Sequence, residues 1–148
     1  MTPDQVQARL LVRGETICCA ESLTGGALAS LLSSLPGAST VFLGGVVSYA
    51  TEVKRSLLGV TAEQVISAEC AMEMATGVRR LIGADWALST TGVAGPDTQE
   101  GQPVGTVFIG IAGPQGVRAE HLELSGSRDE IRATTCRAAI SILTGMLA

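Results

Sequence analysis

Apolar residues recur along the chain with two periods, which together predict ten elements of secondary structure. Apolar positions three or four residues apart are typical of amphipathic helices, and short apolar runs between glycine, proline or polar residues are typical of strands. Helices are predicted over residues 3–13, 27–35, 52–58, 67–82 and 129–147, and strands over residues 15–20, 40–49, 86–90, 104–112 and 117–124. The predicted order is α, β, α, β, α, α, β, β, β, α.

Residues at the element ends refine this prediction. The Gly-Pro-Gln-Gly sequence at 113–116 predicts a hairpin turn between the last two strands, and the glycine pair at 44–45 predicts a bend or bulge. We expect Thr51 to cap the short third helix and Ser127 to cap the last helix. Residues 61–64 have the pattern of a further helix start.

Strands interspersed with helices, together with one hairpin, predict a three-layer α/β/α sandwich. Its sheet is expected to be mixed, mostly parallel, and to include one C-terminal β-hairpin. The length of 148 residues predicts a single domain over residues 1–148. With 46% hydrophobic and 16% charged residues, the chain can bury a core without disulfides or metal.

Charge and cysteine patterns exclude several classes of function. The net charge is −4 and no cluster of lysine or arginine occurs, so nucleic acid is not an expected partner. No apolar run reaches the ~18–20 residues of a membrane span, and the polar N-terminus does not resemble a signal peptide. The four cysteines lack the spacing of a zinc site. We therefore expect a reduced, cytoplasmic protein without a metal.

The stretch of residues 20–26 has the composition of an active-site turn. It joins a buried strand to a helix, and the free N–H groups at a helix start can bind an anion or a developing oxyanion. Ser22 or Thr24 can supply a hydroxyl group, and Gly25 and Gly26 allow a ligand to approach the backbone. The alternative is an ordinary turn in which Ser22 or Thr24 caps the helix.

Two other strand ends supply further candidate residues. Tyr49 and Lys54 follow the second strand, and Thr91 ends the third; in a layered α/β fold, ligands collect at such ends. A lysine with a lowered pKa can activate a serine, so Ser22, Tyr49 and Lys54 form a candidate Ser–Lys hydrolytic site. The alternative is a solvated Lys54 and a structural Tyr49. His121 is expected to be exposed in the last hairpin, which argues against a Ser-His-Asp triad.

Five short motifs occur in order along the chain. They are Ala-Glu-Ser-x-Thr-Gly-Gly at 20–26, Ser-Tyr-x-x-x-x-Lys at 48–54, Gly-Val-Ala-Gly-Pro-Asp at 92–97, Pro-Val-Gly-Thr-Val at 103–107 and Gly-x-Arg-x-x-x-Arg at 126–132. Each motif alone is weak, but together they resemble the CinA C-terminal domain family, whose stand-alone members are nicotinamide mononucleotide deamidases. The resemblance extends over nearly the whole chain.

The resemblance implies a metal-independent amidohydrolase that needs no cofactor. Such an enzyme converts nicotinamide mononucleotide to nicotinate mononucleotide and ammonia, within pyridine nucleotide recycling. By position, Ser22 resembles the nucleophile, and Lys54 and Tyr49 resemble its activating partners. The implied partners are the small nucleotide substrate and further copies of the chain, in a dimer or a larger homo-oligomer.

The resemblance also implies a set of substrate-binding residues. The glycine-rich turn would form an amide-rich cradle, the end of the third strand would lie beside the reacting amide, and an arginine at the last helix would meet the phosphate. These residues are Thr24, Gly25, Gly26, Thr91, Gly92, Arg128 and Arg132.

Two features depart from the family pattern. The segment of residues 60–69 is shorter than usual, and Thr98 replaces the glycine that commonly follows Pro-Asp. Both features affect the expected substrate preference more than the expected fold. The alternatives to an amidohydrolase are a catalytically silent nucleotide-binding or regulatory module and a purely structural partner domain.

Overall fold

The computed structural model describes residues 2–148 and contains the predicted order of helices and strands. The elements are α1 (Pro3–Arg13), β1 (Ile17–Glu21), α2 (Ala27–Leu32), β2 (Phe42–Val47), α3 (Thr51–Leu58), α4 (Ala68–Ile82), β3 (Trp86–Gly92), β4 (Thr106–Gly113), β5 (Gly116–Glu123) and α5 (Arg128–Met146). A single 3₁₀ turn, Ala38–Thr40, precedes β2.

The five strands form one mixed sheet in the order β2-β1-β3-β4-β5. β1 is paired in parallel with both β2 and β3. β4 is antiparallel to β3 and β5, so the parallel part of the sheet is limited to three strands. The predicted mixed sheet with a C-terminal hairpin is confirmed, and Gly113 pairs with Gly116 across the predicted turn.

Helices cover both faces of the sheet and bury a separate apolar cluster on each. On one face, side chains of α1, α2 and α5 pack with Ile17, Cys19 and Leu88. On the other face, α3 and α4 pack with Cys18 and Ala87. Neighbouring strand residues therefore contribute to opposite clusters, as the two-residue period of a strand requires. This arrangement is the predicted three-layer sandwich.

The glycine pair in β2 coincides with a bulge. The register between β1 and β2 shifts by one residue, so that Phe42 pairs with Ile17 while Gly44 pairs with Cys18. A side chain at Gly45 would lie 2.8 Å from the Cys19 sulfur, so only glycine permits this approach of the strands.

The helix start predicted at residues 61–64 is wrong. Residues 59–67, here called the connecting segment, join α3 to α4 without a helix. Two carboxylates bind their backbone N–H groups in place of a helical turn: Glu73 binds near the start of the segment and Glu100 near its end. Apolar side chains of the segment are buried in the apolar cluster between the sheet and helices α3 and α4. A local capping pattern does not reveal this burial.

Candidate active site

A cleft of about 380 Å³ opens beside the ends of β1 and β3. Residues 93–99 line much of it, together with Val65 and Ile66 of the connecting segment. Six of the predicted site residues also line it, namely Ser22, Tyr49, Lys54, Thr91, Gly92 and Arg128. The topology explains this grouping, because β1 and β3 are parallel neighbours and their carboxyl ends lie at the same edge of the sheet.

Lys54 lies at the centre of the hydrogen bonds in the cleft. Its amino group is 2.9 Å from Ser22 Oγ, 2.8 Å from the carbonyl oxygen of Ser48 and 3.0 Å from that of Tyr49. An ammonium group donates all three bonds. A neutral amine keeps two N–H groups for the two carbonyl oxygens and directs its lone pair at the Ser22 hydroxyl. The geometry thus suits transfer of a proton from Ser22 to Lys54.

Burial lowers the pKa of Lys54. Only 2% of the residue is exposed, and loss of hydration disfavours the charged amine. The neighbouring Cys70 and Glu100 side chains act in the opposite direction and raise this pKa, but burial dominates. A lysine in this environment is neutral at a lower pH than a solvated lysine and can accept a proton from a hydroxyl.

The start of α3 differs from the prediction by one residue. Ala50 is the N-cap and Thr51 is the first helical residue, so the predicted Thr51 cap is wrong. Lys54 consequently lies at the end of the first turn, on the face that is buried with Leu58. From this position the side chain points back to the two carbonyl groups that precede the helix, those of Ser48 and Tyr49.

Ser48 connects the end of β1, which precedes Ser22, to Lys54. Its backbone N–H and its hydroxyl both donate to the Glu21 carbonyl oxygen, at 2.8 and 3.1 Å. Its own carbonyl accepts from Lys54. This fully buried serine therefore fixes the end of β2 against the end of β1, where Ser22 begins the turn.

Glu21 occupies the helix start that we expected to bind an anion. The carboxylate is fully buried and accepts hydrogen bonds from the N–H groups of Leu28 and Ala29, at 2.7 and 2.9 Å. A carboxylate at this position satisfies free amides and interacts favourably with the helix dipole. The protein thus supplies its own anion, and these two amides are not available to a substrate.

The remaining predicted residues do not line the cleft: Thr24, Gly25, Gly26 and Arg132. The Thr24 hydroxyl is 2.8 Å from the Thr90 hydroxyl, and α2 is capped by Gly26, so the side-chain caps considered for this helix are wrong. Arg132 donates to the carbonyl oxygens of Leu23 and Thr24, both at 3.0 Å. It supports the turn from behind, and its contact with a substrate stays a prediction.

Arg128 and Tyr49 meet at the mouth of the cleft. One Arg128 nitrogen donates to the Tyr49 hydroxyl at 2.8 Å, and another donates to the Gly95 carbonyl oxygen at 2.6 Å. Tyr49 is hydrogen-bonded to Lys54 only through its backbone carbonyl oxygen. The residue is exposed, and its hydroxyl accepts from Arg128 instead of bonding to Ser22 or Lys54. A direct proton relay through Tyr49 therefore has no hydrogen bond in this arrangement.

Thr91 and Gly92 form the floor of the cleft at the end of β3. The Thr91 hydroxyl donates to the Val65 carbonyl oxygen at 2.6 Å and anchors the connecting segment. A side chain at Gly92 would lie 2.5 Å from the Thr106 carbonyl oxygen, so glycine is required by the neighbouring strand. Both residues face the cleft, and their contact with a reacting amide stays a prediction.

His121 is remote from Ser22, as expected. It is exposed on β5, which is separated from β1 by β3 and β4. Its ring stacks on Phe108, with the ring centroids 4.5 Å apart. A Ser-His-Asp arrangement is thereby excluded for this cleft.

Sequence reasoning missed the supporting roles of Glu21, Ser48 and Glu100. Glu21 and Ser48 lie within the quoted motifs, and an acidic residue at the end of an apolar strand is an unusual pattern that signals a specific partner. Glu100 lies in a polar loop, where no sequence signal distinguishes it from a solvated acid.

Comparison with known proteins places this cleft in a family. A family model for the CinA C-terminal domain matches residues 2–147. A CinA-like protein of Frankia casuarinae is 49% identical over 144 residues, which cover 94% of this chain and 33% of that protein. A putative competence-damage inducible protein of Geobacillus kaustophilus is 48% identical over 95% of this chain and 35% of its own length. The chain spans about a third of the length of these curated relatives.

Solved structures agree in fold over almost the whole chain. The competence damage-inducible protein A from Klebsiella pneumoniae superposes with a TM-score of 0.94 at 32% identity, covering 98% of this chain and 94% of that one. The competence/damage inducible protein from Agrobacterium tumefaciens gives a TM-score of 0.93 at 30% identity, covering 99% and 93%. Motifs, architecture and relatives agree, and the chain belongs to the CinA C-terminal domain family.

Proposed function

We propose that this protein is a nicotinamide-nucleotide amidase, which hydrolyses the carboxamide of nicotinamide mononucleotide to nicotinate mononucleotide and ammonia. The observation that supports it most is the buried Lys54 amine, 2.9 Å from Ser22 Oγ and held by two carbonyl oxygens. A serine beside a lysine of lowered pKa is a recurrent device for acyl transfer. The family resemblance supplies the substrate.

In the first step, Ser22 Oγ attacks the carboxamide carbon while Lys54 accepts the hydroxyl proton. A bond forms between Oγ and carbon, and the carbonyl π electrons move onto oxygen. When the tetrahedral intermediate collapses, the C–N bond breaks and Lys54 gives its proton to the leaving nitrogen, which departs as ammonia. The cationic pyridinium ring withdraws electrons from the carboxamide and favours the attack, so this route needs no metal.

In the second step, water hydrolyses the ester on Ser22. Lys54, now neutral, accepts a proton from the water as its oxygen bonds to the carbonyl carbon. Collapse breaks the bond to Oγ, and the Ser22 oxygen recovers a proton from Lys54. The product acid ionises to nicotinate mononucleotide, and both residues return to their starting state.

Arg128 is the arginine best placed to meet the substrate phosphate. It lines the cleft and uses one N–H toward Gly95 and one toward Tyr49. A guanidinium group has five N–H donors, so several remain for phosphate oxygens. Arg132, by contrast, already donates to two carbonyl groups of the turn and does not line the cleft.

The proposal is tested by measuring ammonia release with nicotinamide mononucleotide, nicotinamide riboside and nicotinamide as substrates. We expect turnover of the mononucleotide and a kcat/KM at least about tenfold lower for the riboside, since it lacks the phosphate. Nucleotide binding by calorimetry without ammonia release would instead indicate the catalytically silent module. Absence of both binding and release would indicate a structural domain.

The partner proposal is a homo-oligomer that forms through the edge of the sheet. β2 lies at one end of the strand order, and Leu43 and Val47 are exposed along it. An edge strand with free backbone groups and apolar side chains can pair with a second copy of itself.

Among residues 2–148, no helix is long and apolar enough to cross a membrane.

A further inference from the structure

Two walls of the cleft come from chain segments that are not continuous with one another. Val65 and Ile66 of the connecting segment form part of one wall, and residues 93–99 form the other. Neither segment belongs to a helix or strand over most of its length, so the shape of the cleft depends on side chains that connect them. Glu100 follows the second wall directly.

The Glu100 carboxylate joins the two walls. One oxygen accepts from the Val65 N–H at 3.0 Å and the other accepts from the Ile66 N–H at 2.7 Å. A charged acceptor forms stronger hydrogen bonds than a neutral one. Each bond also satisfies a backbone N–H group that has no helical hydrogen-bond partner, because the connecting segment is not a helix.

The backbone at Glu100 is adapted to this contact. Glu100 has a φ of +52°, the only positive φ outside glycine among the described residues, and Gly101 follows with +73°. The Gln102 N–H donates to the Gln99 carbonyl oxygen at 2.8 Å, which closes a tight turn around them. A left-handed conformation is unfavourable for glutamate, and the bonds from the carboxylate to the opposite wall compensate for it.

Glu73 provides an internal comparison. Its carboxylate accepts from the N–H groups of Thr61 and Ala62 and from the Thr61 hydroxyl, and so it binds the same connecting segment in the same way. It does so at the end of the segment that lies outside the cleft, and none of these three residues lines it. The two glutamates thus make the same kind of contact with the connecting segment, Glu100 beside the cleft and Glu73 outside it.

We infer that Glu100 is a positioning residue that holds the two walls of the cleft together around the substrate, a role that rests on the proposed amidase function. Without this bridge, residues 93–99 and the connecting segment separate more easily, and the substrate loses contacts that both walls make at once. The Ser22–Lys54 pair is held by other groups and keeps its geometry. The main effect of losing the bridge is therefore on substrate affinity.

The charge of Glu100 adds an electrostatic effect that a merely structural residue would lack. Two titratable groups act on Lys54 among residues 2–148, the Cys70 thiol from α4 and the Glu100 carboxylate from the loop, and each raises its pKa against the effect of burial. Neutralising Glu100 should lower the pKa of Lys54 further and extend the activity of the neutral amine to lower pH.

The test compares ammonia release by three variants, Glu100→Gln, Glu100→Asp and the matched control Glu73→Gln. Gln replaces one acceptor oxygen by an amide group that cannot accept, and Asp keeps the charge but is too short to reach both N–H groups. We expect both Glu100 variants to raise KM by about tenfold with a smaller change in kcat. Glu73→Gln should leave KM unchanged.

The pH profiles separate the charge from the bridge. Only Glu100→Gln should move the acid limb of kcat/KM to lower pH, because Glu100→Asp retains the negative charge and Glu73 does not act on Lys54. An unchanged KM in both Glu100 variants would overturn the inference. A KM increase of the same size in Glu73→Gln would also overturn it, since any loosening of the connecting segment would then suffice.

Hydrogen exchange distinguishes failure of this inference from failure of the proposed function. In Glu100→Gln, exchange should accelerate at the amides of residues 65–66 and across residues 93–99, whereas in Glu73→Gln it should accelerate only near residues 61–62. If the wild-type protein releases no ammonia, the amidase proposal fails alone, and the exchange pattern decides on the bridge. Unchanged protection of residues 93–99 in Glu100→Gln would then refute it.

Discussion

Lys54 shows how one residue obtains unusual chemistry from ordinary surroundings. Its amine is buried without a carboxylate partner in hydrogen-bond contact, and two backbone carbonyl groups take two of its three bonds. Carbonyl oxygens accept hydrogen bonds from the neutral amine and from the ammonium, so loss of hydration can lower the pKa without leaving N–H groups unsatisfied. The third bond leads to Ser22.

The family resemblance predicted that Ser22 and Lys54 act together, which their spacing alone left open. The structure brings the two side chains together, but the means by which Lys54 is held was not predicted. Its partners are main-chain atoms of Ser48 and Tyr49, and any residue types could supply those carbonyl groups. The same limit applies to Tyr49, whose side chain was expected to act on the pair and instead bonds Arg128.

The lowered pKa of Lys54 predicts the pH dependence of the activity. Protonated Lys54 cannot accept the Ser22 proton, so kcat/KM should be low when the amine is charged and should rise as pH increases through its pKa. Because burial places that pKa below the usual 10.5, the rise should be centred below pH 10.5. The measurement is kcat/KM for ammonia release as a function of pH. A kcat/KM that decreases with increasing pH over this range would contradict the role of Lys54 as the base.

At the scale of elements, the start of α2 shows where local reasoning was insufficient. Free amides at a helix start are a general expectation, and the glycines and hydroxyl groups there suited an anion site. The pattern could not reveal that the Glu21 side chain folds back from the preceding strand and takes two of these amides. Likewise, the helix-start pattern at 61–64 did not reveal the two glutamates that bind the connecting segment from a distance.

The contact between α3 and α4 fixes the helix that positions Lys54, and a glycine pair tests it. A Cβ atom at Gly77 would lie 2.1 Å from the Leu58 carbonyl oxygen, so Gly77→Ala must push the helices apart. We expect a loss of about 1–3 kcal/mol or more in the free energy of unfolding, together with reduced activity as Lys54 is displaced. Chemical denaturation and ammonia release measure the two effects.

Gly145→Ala is the matched control for this substitution. Gly145 also lies in a helix, and apart from its chain neighbours and the adjacent helix backbone no atom lies within 4 Å of the position that a Cβ atom would take. Alanine should therefore raise the free energy of unfolding by about 0.5–1 kcal/mol and leave activity unchanged. Equal stability changes in the two variants would show that the close approach of α3 to α4 does not matter.

At the scale of the whole molecule, the fold was predictable because each element has a clear periodicity and the connections are short. The patterns of hydrophobic and polar residues predicted the order of elements. The right-handed connection between parallel strands then leaves few possible arrangements of these elements. The extent of parallel pairing was less accessible, since it depends on β4 lying next to β3 in the antiparallel sense. No local signal distinguishes this pairing from a parallel one.

Association of whole molecules is predicted to depend on the exposed edge of β2. Leu43→Lys should convert the proposed homo-oligomer to a monomer, because burying an unpaired charge at a strand edge opposes pairing. Val12→Lys, at an 89% exposed position on α1, should leave the assembly intact. Light scattering coupled to size-exclusion chromatography gives the masses, and equal masses for Leu43→Lys and the wild type would contradict the proposed interface.

The central claim is that Ser22 attacks a nucleotide carboxamide with Lys54 as its base, and ammonia release by Ser22→Ala tests it most directly. Ser56→Ala is the control, since Ser56 is an exposed serine on the same helix as Lys54. The wild type and Ser56→Ala should release ammonia from nicotinamide mononucleotide at equal rates, and folded Ser22→Ala should be slower by on the order of 10³-fold or more. Wild-type turnover in Ser22→Ala would contradict the account.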